Sequence, residues 1–116
     1  MSSIEVKSFS NADEVNTDFN NARIDAVNVG GQRVIQLTLQ PGWKWSNDIK
    51  PVVGTESCQA THLGVIISGT VKAIHNDGTE ATYTAGDAYS IQPGHDGMVV
   101  GDDPAIVYEF AGAWGE

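Results

Sequence analysis

The segment TESCQATHLGVIISG, residues 55–69, places Glu56, the single cysteine Cys58 and His62 within seven positions. A carboxylate, a thiol and an imidazole are side chains that zinc accepts, and that iron and other divalent metals accept with less preference. A β-strand points alternate side chains to one side, so regular pairing puts Glu56, Cys58, Ala60 and His62 on a shared face. If that face is an interior, an ionised glutamate there needs a partner, because burying an unpaired charge is costly. The plainer readings of the same residues are a small buried cysteine, a hydrogen-bonded core histidine and a solvated glutamate.

The elements that must position these groups read as short strands separated by Gly, Pro and Asn-Asp. RIDAVNV (23–29) and RVIQLTL (33–39) flank Gly30-Gly31-Gln32 as a hairpin. TVKAIH and TEATYT flank Asn76-Asp77-Gly78 as a second hairpin, and AYSI, MVV and AIVYEF follow further turns. Turns recurring about every 8–12 residues point to an all-β sandwich or barrel. PGWKWS (41–46) reads as a turn and a strand with Trp43 and Trp45 on one face. Residues 47–57 read as loop, and a short helix is expected near SNADEVNTD, capped by Ser10 or Asn11. His75, before the Asn-Asp-Gly turn, reads as a surface residue far from the other two histidines.

The 116 residues suit one domain with its own core. One cysteine excludes an internal disulfide, and the N-terminus has neither the basic start nor the apolar run of a secretory signal, so a cytoplasmic location is expected. Six Lys and Arg against fifteen Asp and Glu, a formal charge of −9, argue against nucleic acid and anionic membranes as partners. No apolar run approaches the ~20 residues that cross a bilayer.

PGWKWS, then ESCQATHLGVIISGTV, the Asn-Asp-Gly hairpin and AGDAYSIQPGHDG together resemble a small single-domain cupin of the RmlC-like type, over residues 34–110. The resemblance implies an all-β jelly roll, the double-stranded β-helix, as a single domain over 1–116, with an N-terminal arm (1–22) and a core barrel (34–110). Cupins place two histidines and a glutamate from a first motif, and a histidine from a second, around one divalent metal. In that frame Gly69 closes the first motif, His62 takes the glutamate position, and Cys58 and Glu56 take the histidine positions. Gly86, Asp87, Pro93 and Gly94 match the second motif, whose histidine position falls on Gly97, with His95 two residues earlier.

The ligand set in this chain is therefore permuted: Cys58, His62 and His95 as metal ligands, with Glu56 as a fourth ligand or base. Zinc or nickel is favoured there over iron or manganese. Glu56 and His95 are the candidates for moving protons in catalysis. Trp43, Trp45, Gln59 and Tyr89 are candidates for the wall of a small-molecule pocket, since indole rings supply area and a face for a cation. Three functions follow from the resemblance: a metal-dependent oxygenase, isomerase or lyase; a ligand-sensing module; and a barrel that has lost its chemistry. Small cupins commonly pair, so a homodimer is expected, with SSIEVKSF (2–9) as a strand that covers an edge.

Overall fold

The computed structural model describes residues 3–111; residues 1, 2 and 112–116 of the expected domain, and Ser2 of the expected edge strand, lie outside them. Among the described residues, nine strands form two antiparallel sheets. In chain order they are β1 (Glu14–Asn16), β2 (Ala22–Val29), β3 (Gln32–Leu39), β4 (His62–Ser68), β5 (Thr70–His75), β6 (Glu80–Thr84), β7 (Ala88–Ile91), β8 (His95–Val99) and β9 (Ala105–Ala111). Six of them line up as β1-β2-β3-β9-β4-β7, and three as β6-β5-β8. The inner faces of the two sheets enclose the core, with Leu37, Leu39, Trp45, Ile49, Ile66, Val71 and Val107 among its buried residues. No helix among the described residues is long and apolar enough to cross a membrane.

Strand alternation accounts for this arrangement. In β3, Ile35, Leu37 and Leu39 are buried and their neighbours are half-buried, and β9 repeats the pattern with Ala105, Val107 and Glu109. The β2–β3 hairpin closes between Val29 and Gln32, with Gly30 at φ 57° and Gly31 at φ 78°. Two consecutive positive φ values define the type I′ turn, which suits the twist of paired strands. β1 and β2 extend the larger sheet beyond the 34–110 core expected from the resemblance.

Two local expectations are corrected. Trp43 and Trp45 do not share a strand: Lys44 makes one isolated bridge to Met98, and Trp45 opens a single helical turn, α1 (Trp45–Asp48), followed by α2 (Lys50–Val53). The Asp48 carboxylate accepts the Lys44 amide and the Asp96 carboxylate accepts the Ser46 amide, so side chains satisfy the backbone donors that a strand would have paired. The helix expected near SNADEVNTD is one 3₁₀ turn, Phe9–Asn11, capped by Ser8. Its acidic residues are drawn elsewhere: Asp13 pairs with Lys7 and accepts the Asn28 amide, and Glu14 enters β1 and pairs with Arg33.

Candidate metal centre

His62 is the first residue of β4, and its ring points into the core. Its cross-strand neighbour in β7 is Ile91, and two residues on, Gly64 lies between Tyr89 of β7 and Glu109 of β9. Cys58 precedes β4 and reaches the same volume by an isolated bridge to His95: the Cys58 amide donates to the His95 carbonyl at 2.8 Å, and the Gly94 amide donates to the Cys58 carbonyl at 2.7 Å. Directly opposed residues face the same side, so the thiol and the His95 ring both point inward. The ligand atoms of Cys58, His62 and His95 lie within 4.8 Å of one another, and all three residues are buried. The two imidazole rings meet edge to face at 5.0 Å.

Each histidine has one ring nitrogen committed. His62 Nδ1–H donates to Glu109 Oε1 at 2.8 Å, and His95 Nδ1–H donates to the Gln92 carbonyl at 2.8 Å. This leaves both Nε2 atoms for the interior, and His62 Nε2 lies 3.6 Å from Cys58 Sγ. A tetrahedral zinc with bonds of about 2.3 Å to sulfur and about 2.0–2.1 Å to nitrogen separates the two donors by about 3.5 Å. Donor types, spacing and the anchored outer nitrogens fit a bound divalent cation, since metal-ligating histidines are oriented by an acceptor on the other ring nitrogen.

Glu109 is the carboxylate of the site, and it was not among the sequence candidates. Its second oxygen accepts the Tyr89 hydroxyl at 2.6 Å. Gly64 makes this contact possible: a Cβ there would stand 2.9 Å from the Tyr89 hydroxyl and 3.0 Å from Glu109 Cγ, and would also collide with the Tyr108 carbonyl. The signal for Glu109 was present in AIVYEF, where the inward alternation of Ala105 and Val107 continues onto a charged residue. Burial, the Glu109 charge and its hydrogen bond all raise the Tyr89 phenol above its ordinary range, so it stays a donor. Tyr83 stacks on Tyr89 at 4.4 Å and is raised in the same way, by burial first and then by the Glu109 charge.

Without a metal, the thiol and imidazole form a charge pair. Burial pushes the Cys58 thiol up, but hydrogen bonds from His62 and His95 outweigh it and bring it down to about 6. Burial pushes His62 down, but its bonds to Cys58 and Glu109 outweigh that and raise it to about 10.

Two of the predicted site residues lie elsewhere. The Glu56 side chain is 98% exposed and pairs with Lys50 at 3.2 Å, away from the thiol. Gln59 is exposed, and its amide turns back onto Ser57. The cause is the same for both: residues 55–61 are bends and a single bridge rather than regular strand, so alternation does not apply before His62. Trp43, Trp45 and Tyr89 do line the interior cavity, together with His62, His95 and Glu109. That cavity measures about 30 Å³, the room of about one water or one ion. Trp45 lines it too, and its buried indole N–H meets no acceptor among the described residues. His75 is also repositioned: it pairs directly with His95 across β5 and β8, at the rim of the same inner face.

No protein-family profile and no curated relative matches the sequence. Solved structures with related architecture do match. An RmlC-like cupin from Shewanella frigidimarina aligns over 88% of this chain and 86% of its own, at 14% identity and a TM-score of 0.57. A double-stranded β-helix protein from Klebsiella pneumoniae aligns over 93% and 89%, at 18% identity and 0.60. An oxalate decarboxylase from Lactobacillus farciminis, in complex with formate, aligns over 94% of this chain, at 15% identity and 0.59, while the chain spans 33% of that protein. The fold is therefore that of a small single-domain cupin, a double-stranded β-helix, carrying a buried Cys/His/His group with the capacity to hold a metal.

Proposed function

We propose that the protein binds one divalent cation, zinc or nickel before iron or manganese, through Cys58, His62 and His95, and presents it to a small molecule. The observation that carries this reading is the pairing of each histidine's outer nitrogen with an acceptor while both inner nitrogens and the thiol converge. A bound cation would supply Lewis acidity. The chain's own residues do the rest: Glu109 orients His62 and holds the Tyr89 proton, the Gln92 carbonyl fixes the His95 tautomer, and the Trp43 and Trp45 rings keep bulk water out. Glu109, in place of Glu56, is the carboxylate of the site, and it acts through His62 and Tyr89. The reaction class stays at the level of metal-dependent oxygenase, isomerase or lyase.

Elemental analysis of purified protein, and reconstitution with zinc, nickel, iron and manganese, provide the test. One equivalent of metal is expected, lost in Cys58→Ala and in His62→Ala. Folded protein that takes up none of the four sinks the proposal.

A homodimer belongs to the same proposal. Residues 3–8 form no strand, against the expected edge strand over 2–9, and among the described residues this arm has no strand partner. Ile4 and Val6 on it are 81% and 87% exposed, and Leu63, Ile67 and Phe110 are exposed on the larger sheet. Exposed apolar groups mark an association surface where they lie in one contiguous patch. Light scattering should give twice the chain mass, and a lower mass on replacing Ile4 and Val6 with serine; a monomer at all concentrations would refute it.

A further inference from the structure

A second, larger cavity opens at the rim of the barrel, about 290 Å³ in volume and bounded by the β5–β6 hairpin, by β7 and by the segment leading into β8. Ala73, Ile91 and His95 line both this cleft and the small interior cavity, so the two share a wall that includes a candidate metal ligand. The inner cavity has room for an ion; the outer one has room for an organic molecule.

The 92–94 segment, whose Gln92 lines the cleft, is tied to the residues around it. Its three successive carbonyls accept from His95 Nδ1, His75 Nε2 and the Asn76 amide, each at 2.8 Å. His75 is fully committed, since its Nδ1 accepts the Asp77 amide at 3.1 Å. It thus ties the hairpin to the segment that anchors His95, rather than acting as a base. Such bonding preorganises a binding site, which lowers the ordering cost of binding.

The lining also restricts what can bind. Asp77 is the charged side chain of the cleft, and neither Lys nor Arg lines it. The Thr79 amide donates to Asp77 at 2.8 Å and favours its ionised form. The Thr79 hydroxyl, like its amide, bonds to Asp77, while the Ser90 hydroxyl and the Gln92 amide make no side-chain hydrogen bond to another described residue and so remain for a ligand. In the metal-free protein a carboxylate ligand would meet Asp77 with no Lys or Arg to offset it, and His75 beside Asp77 already has both ring nitrogens engaged, whereas an ammonium or a hydroxyl meets acceptors and donors.

We propose that this rim cleft is the ligand site of the protein, and that it takes a small polar molecule that is cationic or neutral, bearing amine and hydroxyl groups, in preference to a carboxylate. The proposal deepens the metal reading and rests on it for the chemistry that follows binding, while binding itself does not require the metal.

Ethanolamine, a minimal molecule with both groups, and oxalate are the probes. Each is titrated into the full chain, metal-free and zinc-loaded, and followed by amide chemical shifts. Saturable shifts at residues 77–81 and 90–95 are expected with ethanolamine in both forms, and none at these residues with oxalate in the metal-free form. Ala81→Phe, which fills the cleft from an exposed strand position opposite Ala73, should weaken ethanolamine by about tenfold or more. Asp77→Asn, which can still accept the Thr79 amide, should weaken it severalfold. Saturation of the metal-free protein by oxalate at the same residues, no saturation by ethanolamine, or ethanolamine binding unchanged in Ala81→Phe would overturn the proposal. Uptake of zinc without ethanolamine binding defeats the cleft alone, and ethanolamine binding without metal uptake defeats the metal centre alone.

Discussion

His62 and His95 present the same atom to the same cavity, yet the molecule orients them by different means. His62 is held by a carboxylate 47 residues away, on a neighbouring strand, and that carboxylate is itself held by Tyr89. His95 is held by a backbone carbonyl three residues before it. One ring therefore depends on the register of three strands and on a buried charge, the other on a local turn. Side-chain substitution can remove the first anchor and cannot remove the second, so the two halves of the site should respond very differently to mutation.

The largest expected effect comes from removing the His62 anchor. Glu109→Leu leaves His62 Nδ1 and the Tyr89 hydroxyl buried without their acceptor, and breaking a buried charged pair in this way costs about 3–5 kcal/mol. For a domain of this size that lowers the melting temperature by more than about 10 °C. Glu109→Gln keeps the shape and one acceptor, and should cost less stability while weakening metal affinity by about 10–100-fold. The matching change at the other histidine, Gln92→Ala, keeps the carbonyl and should leave metal affinity within about threefold, a change of under 1 kcal/mol. Calorimetric titration of zinc into the variants checks both halves. Equal losses at Glu109→Gln and Gln92→Ala would erase the distinction between the two anchors.

A smaller effect separates the metal-free and metal-bound states by pH. In the metal-free protein His62 is raised to about 10 from its ordinary 6.5, so its contribution to stability is complete below 6.5 and is lost as pH rises through 10. Cys58 is lowered to about 6 from its ordinary 9.0, so its contribution is complete above 9 and is lost as pH falls through 6. Between about 6.5 and 9 the opposite slopes offset each other, which gives a plateau with a fall on either side. Both shifts arise largely from one thiolate–imidazolium contact, so they count as one stabilising interaction. Cys58→Ala should remove the acid limb. A difference curve between wild type and Cys58→Ala that stays flat from pH 5 to pH 11 would show that the pair is not charged. Metal binding at pH 7 should release about one proton, because Cys58 has already lost its own and His62 has not.

What the chain discloses in advance follows from how local each determinant is. The strand pattern, the Gly30-Gly31 turn and the Asn-Asp-Gly hairpin are written in residues adjacent to one another, and the folded chain matches them. The jelly-roll architecture was legible from turns and motif glycines. The convergence of Cys58 and His62 is legible as well, but strand alternation does not produce it, because residues 55–61 make bends and one bridge. Glu109, Gly64 and the place of His75 beside His95 depend on pairing between distant strands, and a single sequence does not state which strands become neighbours. The turn at Trp45–Asp48 was hidden because Asp48 and Asp96 satisfy the backbone from their side chains, and the Asp96 contact comes from a strand 50 residues away.

The smallest expected effect tests that account at the residue it displaces. Glu56 stands two residues from the thiol, close enough in sequence to have been taken for a ligand, and its pairing with Lys50 lies in open solvent. Exposed pairs of this kind contribute about 0–1 kcal/mol, and surface substitutions remote from a site usually stay within about 0.5 kcal/mol. Glu56→Ala should therefore leave both the melting temperature and zinc affinity essentially unchanged, in contrast to Glu109→Gln, although both remove one carboxylate from the same small protein. A loss of metal at Glu56→Ala comparable to that at Glu109→Gln would mean that residues 55–61 turn inward when the cation binds. The carboxylate that governs the site would then have to be reassigned from a strand to a loop.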